Sequence, residues 1–381
     1  MDFSWSSEQK EFKSAVIKFA QNELNDDMEK RDEKSEFSYE GWRKCAQFGI
    51  HGLSFPEEYG GSGADIMTTM LAMEGLGYGS KDNGLIFAIN AQMWAIQHPI
   101  MHFGTDAQKE KYLPGLISGE LIGAHGMTEP DSGSDAYSLR TRAEKVEGGY
   151  KLNGSKMFVT SAPICDVAVV FATVDPAKGM GGVTGFIIEK DTPGFSLSAP
   201  IHKMGLRTSP MGELIMEDVF LPDENRLGSE GAGVSIFTSA MEWERSCILA
   251  SNIGAMERQL KTSVRYARTR RQFGKPIGKF QSVANRLADM KVRLETARLL
   301  LYKVAWLKKE GKQAVMEAAM AKLYLSECFT QNSLDAIRTH GGYGYTTEYE
   351  VEREMRDSIG GLLYSGTSDI QRQVIARLMG L

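Results

Sequence analysis

His340-Gly341-Gly342-Tyr343-Gly344-Tyr345, then Met355-Arg356-Asp357, then Tyr364-Ser365-Gly366-Thr367-Ser368 close the chain, and their setting decides its architecture. They follow a stretch built for helices. Ala314 to Cys328 is dense in Ala, Met, Leu and Lys, all strong helix formers. Leu287, Met290, Val292, Leu294, Ala297 and Leu300 keep near-helical spacing. From Gly233 onward the pattern predicts a C-terminal bundle of long helices.

Further back the pattern changes. Between about 121 and 230, Val167-Ala168-Val169-Val170-Phe171-Ala172 and Gly185-Phe186-Ile187-Ile188 are short apolar runs bounded by Gly, Pro and Asp. Gly149-Tyr150-Lys151-Leu152-Asn153-Gly154 reads as a strand ending in a hairpin turn. Short strands at this spacing predict a small β-barrel or sandwich. Residues 1 to about 120 return to a helical pattern. Phe12, Val16 and Phe19 form an i, i+4, i+7 stripe with Lys10, Lys13 and Lys18 off that face. Pro56 to Gly63 is a glycine-rich break. The expected organisation is α+β: an α-helical domain over 1–120, a β domain over 121–230 and a helical bundle over 231–381.

The bulk numbers exclude several classes. The chain has 381 residues, 42% hydrophobic and 24% charged, which is ordinary for a soluble globular protein. A net charge of −5 gives no electrostatic case for nucleic acid or an anionic membrane. No long uninterrupted apolar run predicts a transmembrane helix. Met1-Asp2-Phe3-Ser4-Trp5 lacks the basic segment and apolar run of a signal peptide. Cys45, Cys165, Cys247 and Cys328 form no CxxC pair, which suits a reducing, cytoplasmic setting.

Several site motifs are missing. No GxGxxG loop follows a strand, and no GxxxxGK[ST] loop occurs, so a Rossmann nicotinamide site and an ATP loop are not expected. There is no GxSxG elbow for a serine nucleophile. His98 and His102 lie at i, i+4, but Pro99 interrupts the turn and no acid lies between them, so no metal site is expected.

One internal turn offers more: Met127-Thr128-Glu129-Pro130-Asp131-Ser132-Gly133-Ser134-Asp135. Its hydroxyls and backbone N–H groups suit a pyrophosphate or the edge of a heterocycle. On composition alone, a surface turn with Asp135 as a cap is the simpler reading. Lys156-Met157-Phe158-Val159-Thr160-Ser161 follows, and Arg270-Arg271-Gln272-Phe273-Gly274 precedes the closing segments. On composition, the run Arg265, Arg268, Arg270, Arg271 is equally a solvated basic helix end.

The order and spacing of these segments over nearly the whole chain resemble the acyl-CoA dehydrogenase family, flavoenzymes that oxidise acyl thioesters. The resemblance implies FAD as cofactor. It implies that Met127, Thr128, Ser132, Gly133 and Ser134 wrap the flavin with Phe158 and Thr160, with Thr160 at its N5 edge and Ser134 also near the thioester. Phe158 stands where Trp is usual and keeps a stacking surface without the indole N–H. Arg270, Phe273, Gln281, Arg338, Gly341 and Gly342, with Thr367 and Ser368, match the remaining flavin segments, some serving a neighbouring subunit. Gln is usual where Arg338 stands. The family also implies a homotetramer.

The main departure is Ser365, because relatives with a C-terminal base have Glu there. Such a reaction needs a carboxylate to take the α-proton while the β-hydrogen leaves as hydride. The segment Met241-Glu242-Trp243-Glu244-Arg245-Ser246-Cys247 resembles the isovaleryl-type branch, whose base position matches Glu244. On the residues alone, Glu244 reads as an ion-paired surface carboxylate, although its apolar neighbours favour a buried helix. Glu242 points about 200° away around the helix. Ser365 and Gly366, with Arg245 and Ser134, then line the acyl site, and the small Ser365 side chain favours groups branched or cyclic near the thioester.

Two substrate readings follow from that branch. One is an L-prolyl thioester on a carrier protein, as in pyrrole and cyanotoxin pathways, giving a pyrroline or, after a second oxidation, a pyrrole. The other is a branched-chain acyl-CoA. The electron acceptor is an electron-transfer flavoprotein or oxygen. Arg265 and Arg268 are candidates for steering an acidic carrier protein. A reading of another class is a flavin-binding partner subunit without catalysis.

Overall fold

A computed structural model describes residues 4–381; Met1, Asp2 and Phe3 of the opening segment lie outside the described residues. The N-terminal region consists of α1 (Ser7–Glu23), α2 (Met28–Lys34), α3 (Tyr39–Gln47), α4 (Ile66–Gly79), α5 (Asn83–Ala91), α6 (His98–Phe103) and α7 (Asp106–Ser118). Ser6 opens α1 with a capping box, its side chain accepting from the Gln9 N–H. Val16 is buried on the predicted stripe, with Phe12 and Phe19 packed against the same core. Between α5 and α6 the chain widens into a π-helical turn, Gln92–Gln97.

The sheet strands are β1 (Gly123–Gly126), β2 (Arg142–Val146), β3 (Gly149–Thr160), β4 (Val167–Thr173), β5 (Val183–Glu189), β6 (Phe195–Leu197), β7 (Met211–Pro222) and β8 (Arg226–Leu227). They form one eight-stranded sheet in the order β6-β7-β3-β2-β4-β5-β8, with β1 parallel to β4. Alternation along β4 separates two cores. Val167, Val169 and Phe171 join the helical core, while Ala168, Val170 and Ala172 face a core inside the sheet.

The expected turn at Asn153-Gly154 is a correction. β3 runs on to Thr160, paired with β7 as far as Met211. Gly154 takes φ +144 at a register shift, and a Cβ there would lie 2.6 Å from the Thr141 hydroxyl. The glycine therefore serves a bulge inside the strand rather than a reversal. The hairpin turn lies earlier, at Glu147-Gly148 between β2 and β3.

The C-terminal region holds α8 (Gly233–Cys247), α9 (Ala250–Thr269), the short pair β9 (Arg271–Gln272) and β10 (Lys275–Pro276), and then α10 (Gln281–Lys309), α11 (Val315–His340), α12 (Gly342–Tyr345), α13 (Val351–Gly360) and α14 (Ser368–Leu378). This bundle locks onto the N-terminal helices. α4 and α9 cross at backbone distance: a Cβ on Gly77 would lie 1.9 Å from the Ser251 carbonyl, and one on Gly254 2.0 Å from that of Glu74. Glu74, buried at the crossing, accepts from Lys13 of α1 (2.6 Å) and Tyr302 of α10 (2.7 Å). The Met355-Arg356-Asp357 segment ties all three parts together. Arg356 bonds Asp32 of α2 at 2.6 Å, and Asp357 accepts from the Leu206 N–H (2.6 Å) and Asn83 (3.0 Å).

Candidate active site

Two residues side by side on α8 grip the same loop residue. Glu244 Oε1 accepts from the Ser365 hydroxyl at 2.5 Å, and Arg245 Nε donates to the Ser365 carbonyl at 3.2 Å. Gln371, fully buried on α14, donates to the carbonyls of Ser365 (3.1 Å) and Gly366 (2.9 Å). Ser365 itself sits at φ +54. Thr367 then caps α14 by accepting from the Ile370 N–H, and the Ser368 hydroxyl is buried with no hydrogen-bond partner among the described residues. Burial pushes the Glu244 carboxyl above its ordinary value, against the opposing pull of Ser365, Arg245 and Lys322. Glu242, by contrast, turns to Lys308 at 2.9 Å.

An aromatic pair stands near Glu244. Tyr364 packs against Phe87 with ring centroids 4.6 Å apart, and its hydroxyl accepts from Asn252 at 3.4 Å. Beneath the loop lies Lys322 of α11. Its side chain is fully buried, its Nζ has no hydrogen-bond partner among the described residues, and it sits 5.9 Å from the Tyr364 ring centroid. Burial, with Arg245 nearby, pulls its ammonium down to about 8.

The turn 127–135 borders α8, because Tyr137 just beyond it bonds the Thr238 hydroxyl at 3.1 Å. A buried ion pair fixes the turn to β3. Lys156 Nζ meets Glu129 Oε1 at 2.6 Å, and Glu129 also accepts from the Thr141 hydroxyl (2.6 Å) and the Arg140 N–H (2.5 Å). Burial raises the Glu129 carboxyl, but Lys156 and these donors override it and leave it below its ordinary value. The Thr128 carbonyl accepts from the Met157 N–H at 2.8 Å. Met127 and Ser132 are buried, with the Ser132 hydroxyl turned to the Asp135 carbonyl at 2.6 Å; Gly133 and Ser134 are exposed.

Phe158 owes its position to a β-bulge. Lys156 pairs with Leu214 and Val159 with Gly212, so two residues of β3 oppose one of β7. Phe158 takes φ +58 in the bulge and leaves its side chain 55% exposed, an aromatic face available for stacking. Thr160, half-buried, ends the strand beside it.

A second group gathers elsewhere. Tyr266, Arg270, His340, Gly341, Gly342 and Tyr343 are among the residues lining a cavity of about 520 Å³. Arg270 lies over the Tyr343 ring at 5.5 Å. Phe273, 92% exposed, and Gln281 at the start of α10 lie outside this lining. So does Arg338, which pairs with Asp335 at 3.5 Å. The two groups lie toward opposite ends of α11. Lys322 and Thr339, a lining residue, are about 26 Å apart along the helix at ~1.5 Å per residue.

The acyl-CoA dehydrogenase N-terminal, middle and C-terminal domain patterns match residues 6–120, 124–219 and 231–380. The chain belongs to the acyl-CoA dehydrogenase family. Within the family it is similar to an L-prolyl-[peptidyl-carrier protein] dehydrogenase of Serratia sp., 42% identical over 100% of this chain and 99% of the relative. It is also similar to the crystal structure of the prolyl acyl carrier protein oxidase AnaB, with TM-score 0.98 and 53% identity over 99% of this chain and 100% of that one. The structure described as PigA with FAD and proline aligns with TM-score 0.98 and 42% identity over the full length of both chains.

The side chains present fit a flavin dinucleotide. The Phe158 face and the hydroxyl-bearing turn suit a flat, polar-edged ring system. Ser368 Oγ is a buried, unpartnered donor, and so is His340 Nε2 beside the Arg270 cavity, among the described residues. A Cβ on Gly341 or Gly342 would meet nothing within 4 Å, so that cavity wall stands open beside an always-charged guanidinium.

Sequence reading passed over Lys322, Tyr137 and Gln371. Lys322 carried a signal, since it lies four residues after Ala318 and four before Ser326, on the buried stripe of α11. Tyr137 carried none, because its partner Thr238 is distant in sequence, and Gln371 carried none, because its contacts to the Ser365 and Gly366 carbonyls depend on the irregular path of the loop before α14.

Proposed function

We propose that the chain is an FAD-dependent dehydrogenase of an acyl thioester, with Glu244 as the base that removes the α-proton and an L-prolyl group on a carrier protein as substrate. The observation that carries this reading is the Glu244–Ser365 contact: the carboxylate bonded to this loop residue comes from α8, and a small residue stands beside it. A desolvated carboxylate with a raised pKa suits proton abstraction near neutral pH. FAD, when bound, supplies the acceptor for the β-hydrogen.

The chain's own residues do the rest. Phe158 offers the stacking face, while Thr128, Ser134, Thr160 and Ser368 offer hydroxyls around it. Arg245 and Gln371 hold the loop so that Ser365 and Gly366 leave room beside the α-carbon. Phe87 and Tyr364 give an apolar side to a five-membered ring. The likeness to proteins named for prolyl carrier substrates supports the prolyl group over a branched-chain acyl-CoA.

The separation of the two groups along α11 supports a shared cofactor site. One dinucleotide reaching the Glu244 end leaves the Arg270, Gly341 and Gly342 cavity for the dinucleotide of a second copy, as in a homotetramer. The domain division 1–120, 121–230 and 231–381, the transfer of electrons to an electron-transfer flavoprotein or to oxygen, and a cytoplasmic setting belong to the same proposal. The four cysteines are unpaired thiols, and no helix among the described residues is long and apolar enough to cross a membrane. Glu244→Gln tests the core of the reading: flavin binding persists and substrate-driven flavin reduction is lost. Reduction of the variant at the native rate would place the base elsewhere, and no reduction of the native protein would favour the non-catalytic reading.

A further inference from the structure

We propose that Ser365 is a positioning residue for Glu244: beyond making room, its hydroxyl clamps the carboxylate in one orientation and stabilises it as the anion before substrate arrives. The proposal rests on the reading of Glu244 as the base. Room alone would be met by alanine or glycine, and glycine would also suit the backbone better. Ser365 sits at φ +54, a region where residues with a Cβ are uncommon. Glycine follows at position 366, already at φ +88. A serine held in that conformation is a cost, and the hydroxyl is what the cost secures.

The loop is built to hold that hydroxyl still. The Ser365 carbonyl accepts from Arg245 on α8 and from Gln371 on α14, so two helices fix the residue's backbone while its side chain reaches back to α8. Glu244 and Arg245 are consecutive, so one turn of α8 binds both ends of the same residue. Ser365 occupies Oε1, and no hydrogen bond to Oε2 forms among the described residues, which leaves Oε2 for the substrate proton.

The charged and titratable groups that face the carboxylate come from three elements. Arg245 lies beside it on α8, Lys322 below it on α11, and the Tyr364 hydroxyl beside it on the loop. Tyr137 lies near Arg245 and bonds Thr238 rather than Glu244. Both cations favour the anion at longer range. Ser365 is the side chain in direct contact, so its removal acts on Glu244 while both cations stay in place.

The test is an infrared titration of the Glu244 carboxyl in the purified flavoprotein without substrate, with the band assigned by its loss in Glu244→Gln. Ser365→Ala and Ser365→Gly are compared with the native chain. The midpoint is expected to rise in both by about one to two pH units, the size of a hydrogen bond to a charged acceptor. The acid limb of turnover should move with it. An unchanged midpoint in both variants overturns the proposal. So does a rise in Ser365→Gly alone, which would trace the effect to backbone conformation. The titration needs no turnover, so it is answered even if Glu244→Gln shows that the base is elsewhere.

Discussion

Glu244 on α8 and Ser365 on the loop before α14, 121 positions apart in sequence, meet at 2.5 Å. A carboxylate placed at 365 would face Glu244 across the same gap. Ser365→Glu is therefore expected to disable Glu244 rather than add a second base. Two like charges at this distance raise one carboxyl further and keep it protonated, and the longer side chain fills the space beside the α-carbon. Turnover of the prolyl thioester should fall by about 10²–10⁴-fold, the usual worth of a positioned base. Stopped-flow flavin reduction reads this directly, and native-like rates would show that the space is not used.

Lys322 gives a stability prediction with a definite sign. Its ammonium falls from 10.5 to about 8 in the folded chain, with burial as the main cause. Between those values the unfolded chain binds more protons, so stability rises with pH across that window, and the penalty is fully present below it. Lys322→Met should raise stability at pH 7 by about 1–3 kcal/mol and flatten the rise between pH 8 and 10.5. It should also move the Glu244 midpoint upward, since a favourable cation is removed. Denaturant melts over a pH series decide the first point, and a destabilised variant with native pH dependence would contradict it.

Much of this site was legible in the sequence and some was not. Glu244 is singled out by the resemblance of its segment to the isovaleryl-type branch, since the residues alone read as a surface carboxylate; Glu242, on the other side of the helix, turns to Lys308. The bundle, the strands of the middle region and the α1 stripe follow from periodicity, which reports local burial. Contacts made at long range escaped. Asn153-Gly154 looks like a turn in isolation, yet pairing with β7 carries the strand through it. Phe158 gives no sign of its positive φ, because the bulge depends on a partner strand. Arg338 is matched to a flavin segment by position; it pairs with Asp335 one helical turn earlier and is not among the residues lining the Arg270 cavity.

The Glu129–Lys156 pair underlies the turn 127–135. Glu129→Ala leaves Lys156 buried without its carboxylate and frees the Arg140 and Thr141 N–H groups that Glu129 now binds. Breaking one side of a buried pair typically costs about 3–5 kcal/mol. Thermal unfolding should show that loss, and flavin content after purification should drop with it. Full flavin occupancy in a destabilised variant would separate the turn from the cofactor.

Arg265 and Arg268 stand exposed near the end of α9. If they steer an acidic carrier protein, reversing both charges should slow turnover of carrier-bound prolyl groups by about tenfold at low salt, with the effect fading as ionic strength rises. A prolyl thioester on free pantetheine should react at its native rate. Equal rates for the carrier-bound substrate in native and reversed chains would remove these residues from docking.

The central claim is tested most directly by anaerobic flavin bleaching. The purified protein is mixed in turn with prolyl-loaded carrier protein and with isovaleryl-CoA, and the oxidised flavin absorbance is followed. Bleaching with the carrier-bound prolyl group and none with isovaleryl-CoA is the expected result. Bleaching with isovaleryl-CoA alone would contradict the account and assign the Glu244 site to branched-chain acyl-CoA oxidation.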